Sequence, residues 1–220
     1  MARLIYKRDS TAFHLKAVRR HIRLARKIKG AEKFADLIAP FQQGLIEKNR
    51  VTTLADEKRE DTYDDVISAD LSLDDAVRTT YENGKQYDRS HPGEQVLLKL
   101  FPNGTFSDII SMPYAEEPMA AERIAASITL LGDTHPLFPM AEEIRNRIAG
   151  VNAALEAYKL VVTELTQAEV EEEAAKADVR KQYEFNYLDS RKELGVTYAE
   201  RIFPVLGNRS KGNTTEEPAR

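Results

Sequence analysis

The residues that could do chemistry are few and widely spaced. The chain contains four His, no Cys and no Trp. Without thiolates it has no disulfide framework, thiolate zinc site, iron–sulfur cluster or Cys nucleophile. The composition fits a reducing compartment. A carboxylate-bridged dimetal bundle needs inward Glu residues and Glu-x-x-His pairs on facing helices, because two metals demand several hard or imidazole ligands. The residues three before His14, His21, His91 and His135 are Thr11, Val18, Asp88 and Gly132. Only Asp88-x-x-His91 has an acid at that spacing, and Pro92 puts it at a helix end, where a capping or surface role is expected. Gly-x-Ser-x-Gly, His-Glu-x-x-His, Gly-x-Gly-x-x-Gly and Gly-x-x-x-x-Gly-Lys are all absent. The acid runs Asp64-Asp65, Asp74-Asp75 and Glu171-Glu172-Glu173 are expected to be solvated faces. Neighbouring residues on a helix point about 100° apart and do not converge on one atom. The expectation is a non-enzymatic protein with no catalytic residue, no cofactor and no metal ligand.

Charge offers a sharper candidate. The formal net charge of -4 conceals a division. Residues 1–29 carry ten Lys and Arg against the single acid Asp9, a surplus of nine positive charges. The remainder holds 22 Lys and Arg against 35 acids, a deficit of thirteen. Lys16, Arg19, Arg20, Arg23, Arg26 and Lys27 recur at steps of three and four, largely off the apolar positions Leu15, Val18, Ile22, Ala25 and Ile28. These six are the candidate partner-binding residues. One target is internal: segment 56–75 carries nine acids against Lys58 and Arg59. Others are a neighbouring subunit, or nucleic acid, where each neutralised phosphate releases a counterion. An anionic membrane surface would suit the same amphipathic pattern.

The elements that must position these residues read as helices. The step pattern, with Ser10 or Thr11 as N-cap and Gly30 as a stop, predicts a helix over 10–29. Helical spacing continues over 31–38, and Pro40 is expected to end or kink that segment. Residues 41–90 lack Pro and keep helical spacing through Leu45, Leu54, Val66, Leu73, Val77 and Tyr81. Fifty residues is long for one helix, so a break near Gly84 or within 51–56 is considered. Proline and glycine punctuate 91–118, a connector with one or two short helices. A helix over 118–131 comes next, stopped by Gly132. Ile144, Ile148, Val151, Leu155, Tyr158, Val162 and Leu165 then mark an a/d seam over three heptads, in a segment running to about Phe203. The tyrosines concentrated in the long segments are expected to pack, with hydroxyls reaching the surface.

The two halves echo one another. Tyr63-x-x-Val66-Ile67-Ser68 matches Tyr158-x-x-Val161-Val162-Thr163, and Lys85-Gln86-Tyr87-Asp88 matches Lys181-Gln182-Tyr183-Glu184. Phe101-Pro102 matches Phe203-Pro204, and Gly30 matches Gly132. These pairs suggest a duplicated helical hairpin. The fold expected is an all-α antiparallel up-and-down bundle with two long helices and two shorter ones. A coiled-coil extension at one end is considered. The bundle would form a single domain over 1–206, with a first hairpin at 10–90, a connector at 91–117 and a second hairpin at 118–206. The polar tail 207–220 is expected to be disordered.

The order Ala55-Asp56-Glu57-Lys58-Arg59-Glu60-Asp61-Thr62-Tyr63, then His91-Pro92, then Leu98-Lys99-Leu100-Phe101-Pro102 resembles an uncharacterised all-α bacterial family, a domain of unknown function. The resemblance covers about residues 31–195 and leaves out the basic helix. It implies the bundle and assigns no functional residue. No segment has the roughly 18 consecutive apolar residues of a membrane span, and the N-terminus has no apolar signal core. A cytoplasmic structural or interaction protein is expected, self-associating as a homo-oligomer or binding a protein partner through long amphipathic helices. Nucleic-acid binding through the basic helix is the alternative, and no small-molecule substrate is expected.

Overall fold

A computed structural model describes residues 4–203; the tail at 207–220 lies outside the described residues. Every regular element among them is a helix: α1 (Thr11–Ala25), α2 (Glu32–Ser90), α3 (Val96–Leu100), α4 (Ser107–Ile110), α5 (Glu117–Thr129), α6 (Phe138–Leu194) and α7 (Val196–Ile202). The protein is all-α with two long helices, as the periodicity indicates.

The boundaries obey local chemistry. The Ser10 hydroxyl accepts from the Phe13 N–H at 3.3 Å and starts α1. That helix ends at Ala25 rather than 29, and Gly30 takes the left-handed conformation (φ 88°) in the next turn. The Glu32 carboxylate accepts from the Gly30 N–H at 2.7 Å, and α2 begins. Pro40 lies inside α2 and does not end it. The ring forfeits one backbone hydrogen bond, but Phe34, Ala35, Ile38 and Leu45 on either side are fully buried and carry the helix through. Neither the 51–56 stretch nor Gly84 interrupts it: α2 runs unbroken for 59 residues. Gly195 (φ 83°) separates α6 from α7.

The chain forms two compact units. Unit 1 takes Met1–Thr53 and Gln167–Arg220, and unit 2 takes Leu54–Thr166. Both long helices therefore contribute to both units.

Unit 1 buries Val18, Phe34, Ile38, Leu45, Val179, Tyr183, Ile202 and Phe203 in one cluster. Polar groups thread it. The Asn186 amide donates to the Phe34 carbonyl at 2.7 Å and approaches His21 Nε2 at 3.2 Å. His21 Nδ1 lies 3.0 Å from the Ile202 carbonyl. A carbonyl only accepts, so the proton sits on Nδ1 and Nε2 accepts from Asn186. Burial holds His21 and His14 below the ordinary imidazole range, so both are neutral near pH 7. The His21 ring stacks on Phe203 at 4.2 Å. Along the flank, Lys48 pairs with Glu171 at 2.6 Å and Thr52 donates to the Ala168 carbonyl at 3.3 Å. Lys33 and Glu193 form a further ion pair.

Unit 2 gathers Leu73, Val77, Val96, Leu100, Phe101, Ile124, Ile128, Leu137, Ile144 and Val151. Asp88, near the end of α2, starts α3: its two oxygens accept from the Val96 and Leu97 N–H groups at 2.8 and 2.9 Å. Lys58 pairs with Glu164 at 2.7 Å, Tyr63 meets Tyr158 with ring centroids 5.5 Å apart, and Asn83 reaches Met140 at 3.2 Å.

Asn186 holds three partners in a dry site, counting Gln182, which donates to its carbonyl oxygen at 2.9 Å. Truncation to Ala leaves His21 Nε2 without a donor and removes a second hydrogen bond from the Phe34 carbonyl. Asn186→Ala is expected to lose roughly 2–3 kcal/mol in urea denaturation, whereas the exposed neighbour Asp189→Ala should change stability by less than about 0.5 kcal/mol.

Candidate functional site

Within unit 2, α2 and α5 bring three carboxylates together. Asp70 and Asp74 are four residues apart on α2 and share a face. Glu117 is the first residue of α5. One oxygen from each of the three lies within 4.8 Å of the others. Glu117 is fully buried, and Asp74 and Asp70 are only 6% and 9% exposed. Among the described residues, neither Glu117 oxygen has a hydrogen-bond partner, and Asp70 Oδ1 and Asp74 Oδ1 have none either. A counter-charge comes from Arg78, 3.8 Å from the other oxygen of Asp74.

Such crowding works against ionisation. Burial first, then the carboxyls of Asp70 and Asp74, push Glu117 up to about 9. Burial also raises Asp74, a hydrogen bond with the Glu117 carboxyl opposes it, the Asp70 charge adds to it and Arg78 opposes. Buried oxygens with nothing to accept from can share protons or hold a cation.

The sequence places Asp74 on a solvated face with Asp75. The structure overturns this for one of the two: Asp75 is exposed and Asp74 is buried. For its neighbour in the cluster, Asp70, a signal lies in register. Val66, Asp70, Leu73 and Val77 step by four, three and four, so an acid occupies a position where the helix otherwise buries an apolar residue. For Glu117 there is no comparable signal. An acid beside a proline in a first turn is ordinary at a solvated helix start.

The remaining candidates lie elsewhere. Asp64 and Asp65 are exposed. Glu171 and Glu173 are ion-paired, with Lys48 and with Lys176 (2.7 Å) and Arg180 (3.3 Å), and Glu172 accepts from Thr11. The Asp88 carboxylate is taken up by the start of α3, and His91 stacks on Tyr87 at 4.2 Å. Lys16, Arg19, Arg20 and Arg23 lie on the outer side of α1, and Arg26 and Lys27 are exposed in the turn after it. Arg26 lies 4.0 Å from Asp36. His14 and His21, with no assigned role in the sequence, are core histidines of unit 1.

No family model, no curated protein and no solved structure matches the chain. Among the described residues, no helix is long and apolar enough to cross a membrane.

Glu117 makes stability depend on pH. Its unfolded carboxyl ionises near 4.5, while the folded one keeps its proton to about 9. Between those values the folded state binds more protons, so stability falls as pH rises. In chelator-containing buffer, Glu117→Gln should be nearly neutral at pH 4 and gain stability over the wild type with rising pH, on the order of a few kcal/mol by pH 8. Urea denaturation across that range measures the slope, and a pH-independent gain would contradict it.

Proposed function

We propose that the chain is a non-enzymatic structural or interaction protein that self-associates through its long helices. The observation that carries this reading is the apolar surface each unit leaves in water. In unit 2, Leu54, Leu71 and Leu160 are each more than half exposed. In unit 1, Leu37, Val170, Phe185 and Leu188 are about half exposed or more. Single exposed apolar residues are commonplace. Their recurrence on both α2 and α6 favours a partner surface.

The finer architecture we propose is an antiparallel up-and-down bundle built from a duplicated hairpin. Pairing supports the first part: in unit 1, residues 48 and 52 meet 171 and 168, and in unit 2, residues 58, 63 and 83 meet 164, 158 and 140. Numbers fall on one helix as they rise on the other. Duplication is supported by the order short helix, left-handed glycine, long helix, short helix, buried Phe. It occurs as α1, Gly30, α2, α3, Phe101 and again as α5, Gly132, α6, α7, Phe203.

Sedimentation of the wild type should show a concentration-dependent oligomer, and Leu160→Glu or Leu188→Glu should shift it toward monomer without loss of helicity. A wild type that stays monomeric at high concentration in light scattering would count against the reading.

A second reading has its own support. Lys16, Arg19, Arg20, Arg23, Arg26 and Lys27 all reach solvent, as phosphate contacts require. It expects nucleic-acid binding that weakens steeply with salt, with the triple change of Arg19, Arg20 and Arg23 to Ala lowering the salt slope by about 3. An absence of DNA and RNA binding at low salt would exclude it.

A further inference from the structure

We propose that Asp70, Asp74 and Glu117 form a binding site for a hard divalent cation of the Mg2+, Mn2+ or Ca2+ kind. The donors are all oxygens, and no imidazole stands among them. Carboxylate sites of this kind select hard cations over zinc or copper. The spacing suits a shared ion. Oxygens about 2.1–2.5 Å from one centre lie at most roughly 4–5 Å from each other, and here one oxygen from each carboxylate lies within 4.8 Å of the others.

Acidic groups often cluster on protein surfaces without binding anything. Burial sets this cluster apart. Glu117 has no exposure, and among the described residues no group outside the cluster donates to either of its oxygens, which face Asp70 and Asp74. Asp74, nearly as buried, leaves one oxygen orphaned beside them. Buried polar atoms left unpaired are rare, because water-loving groups are costly to strip and leave bare. In unit 1 even acids about two-fifths exposed have cations beside them. Glu171 has Lys48, and Glu173 has both Lys176 and Arg180. Among the described residues, the unit 2 cluster has Arg78 alone, half exposed and 3.8 Å from a single oxygen. Arg78 also lies 3.9 Å from Asp75, so its single charge is divided between two carboxylates. The ion supplies the positive charge that the side chains around the cluster do not.

The site joins α2 to the first turn of α5. Bound metal would tie the connector's far end to the long helix, so the ion would be structural, and its loss would loosen α5.

The test uses the full chain, stripped with chelator and titrated with Mn2+, with free Mn2+ read by electron paramagnetic resonance. The expected result is one equivalent bound ahead of weak surface binding and released by excess Mg2+ or Ca2+. Glu117→Gln and Asp74→Asn should each weaken it by about tenfold or more, while the exposed neighbour Asp75→Asn leaves it within about twofold. Glu117→Gln keeps the shape of the side chain and removes a buried acid. It therefore decides the matter should Asp74→Asn fail to fold. No Mn2+ bound at millimolar concentration, or the same binding in Glu117→Gln as in the wild type, would overturn the proposal; so would an equal loss in Asp75→Asn.

Discussion

An isolated amphipathic helix has no interior, so the apolar stripes along α2 and α6 must be covered by other parts of the chain. This requirement accounts for most of what the short helices do. In unit 1, α1 and α7 close over Phe34, Ile38, Val179 and Tyr183, with Val18, Ile202 and Phe203 filling the space. In unit 2, α3 and α5 perform the same task for Leu73, Val77, Ile144 and Val151 through Val96, Leu100, Ile124 and Ile128. The proline inside α2 is tolerated for the same reason, since packing on both sides outweighs one missing backbone bond.

Each unit also admits polar atoms into its covered face, and the two treat them differently. Unit 1 satisfies them: His21, Asn186 and Ser190 all find hydrogen-bond partners among neighbouring side chains and carbonyls. Fully satisfied buried networks fix the register of the elements they join. Unit 2 instead turns Asp70, Asp74 and Glu117 toward one another, with four of their oxygens unpartnered among the described residues. One unit is internally complete, while the other holds a concentration of negative charge that calls for a proton or a positive ion.

Much of the fold was legible in the sequence, because helical spacing and terminal signals are local. Ser10, Gly30, Gly132 and Gly195 all stand at element ends. The apolar pattern along α6 fades after Leu165 for a physical reason. The buried face of α6 continues through Ala168, Val179, Tyr183, Asn186 and Ser190, several of them small or polar. Apolar counting therefore loses the stripe where the helix does not. The same blindness hid the carboxylate cluster: Asp70 sits in an apolar register, but its type argued for solvent. Nothing local distinguishes Glu117 from a solvated helix start, and only the packing of α5 on α2 brings it to the two aspartates. The exposure of the basic residues on α1, by contrast, came directly from their place off the apolar stripe.

Unit 1 is assembled from two stretches of chain separated by the whole of unit 2. The hydrogen bond from His21 to Ile202 spans 181 residues, whereas unit 2 is drawn from one continuous stretch. Closing a longer loop carries a larger entropic penalty, and contacts between distant residues form late. During synthesis, unit 2 has all of its residues before α7 exists, and α1 waits for its partner until nearly the last described residue has emerged. An imidazole in water titrates at about 6.5, and burial in unit 1 lowers that of His21. Docking α1 then requires the ring to shed any proton it carries, so acid opposes the burial of His21 in unit 1.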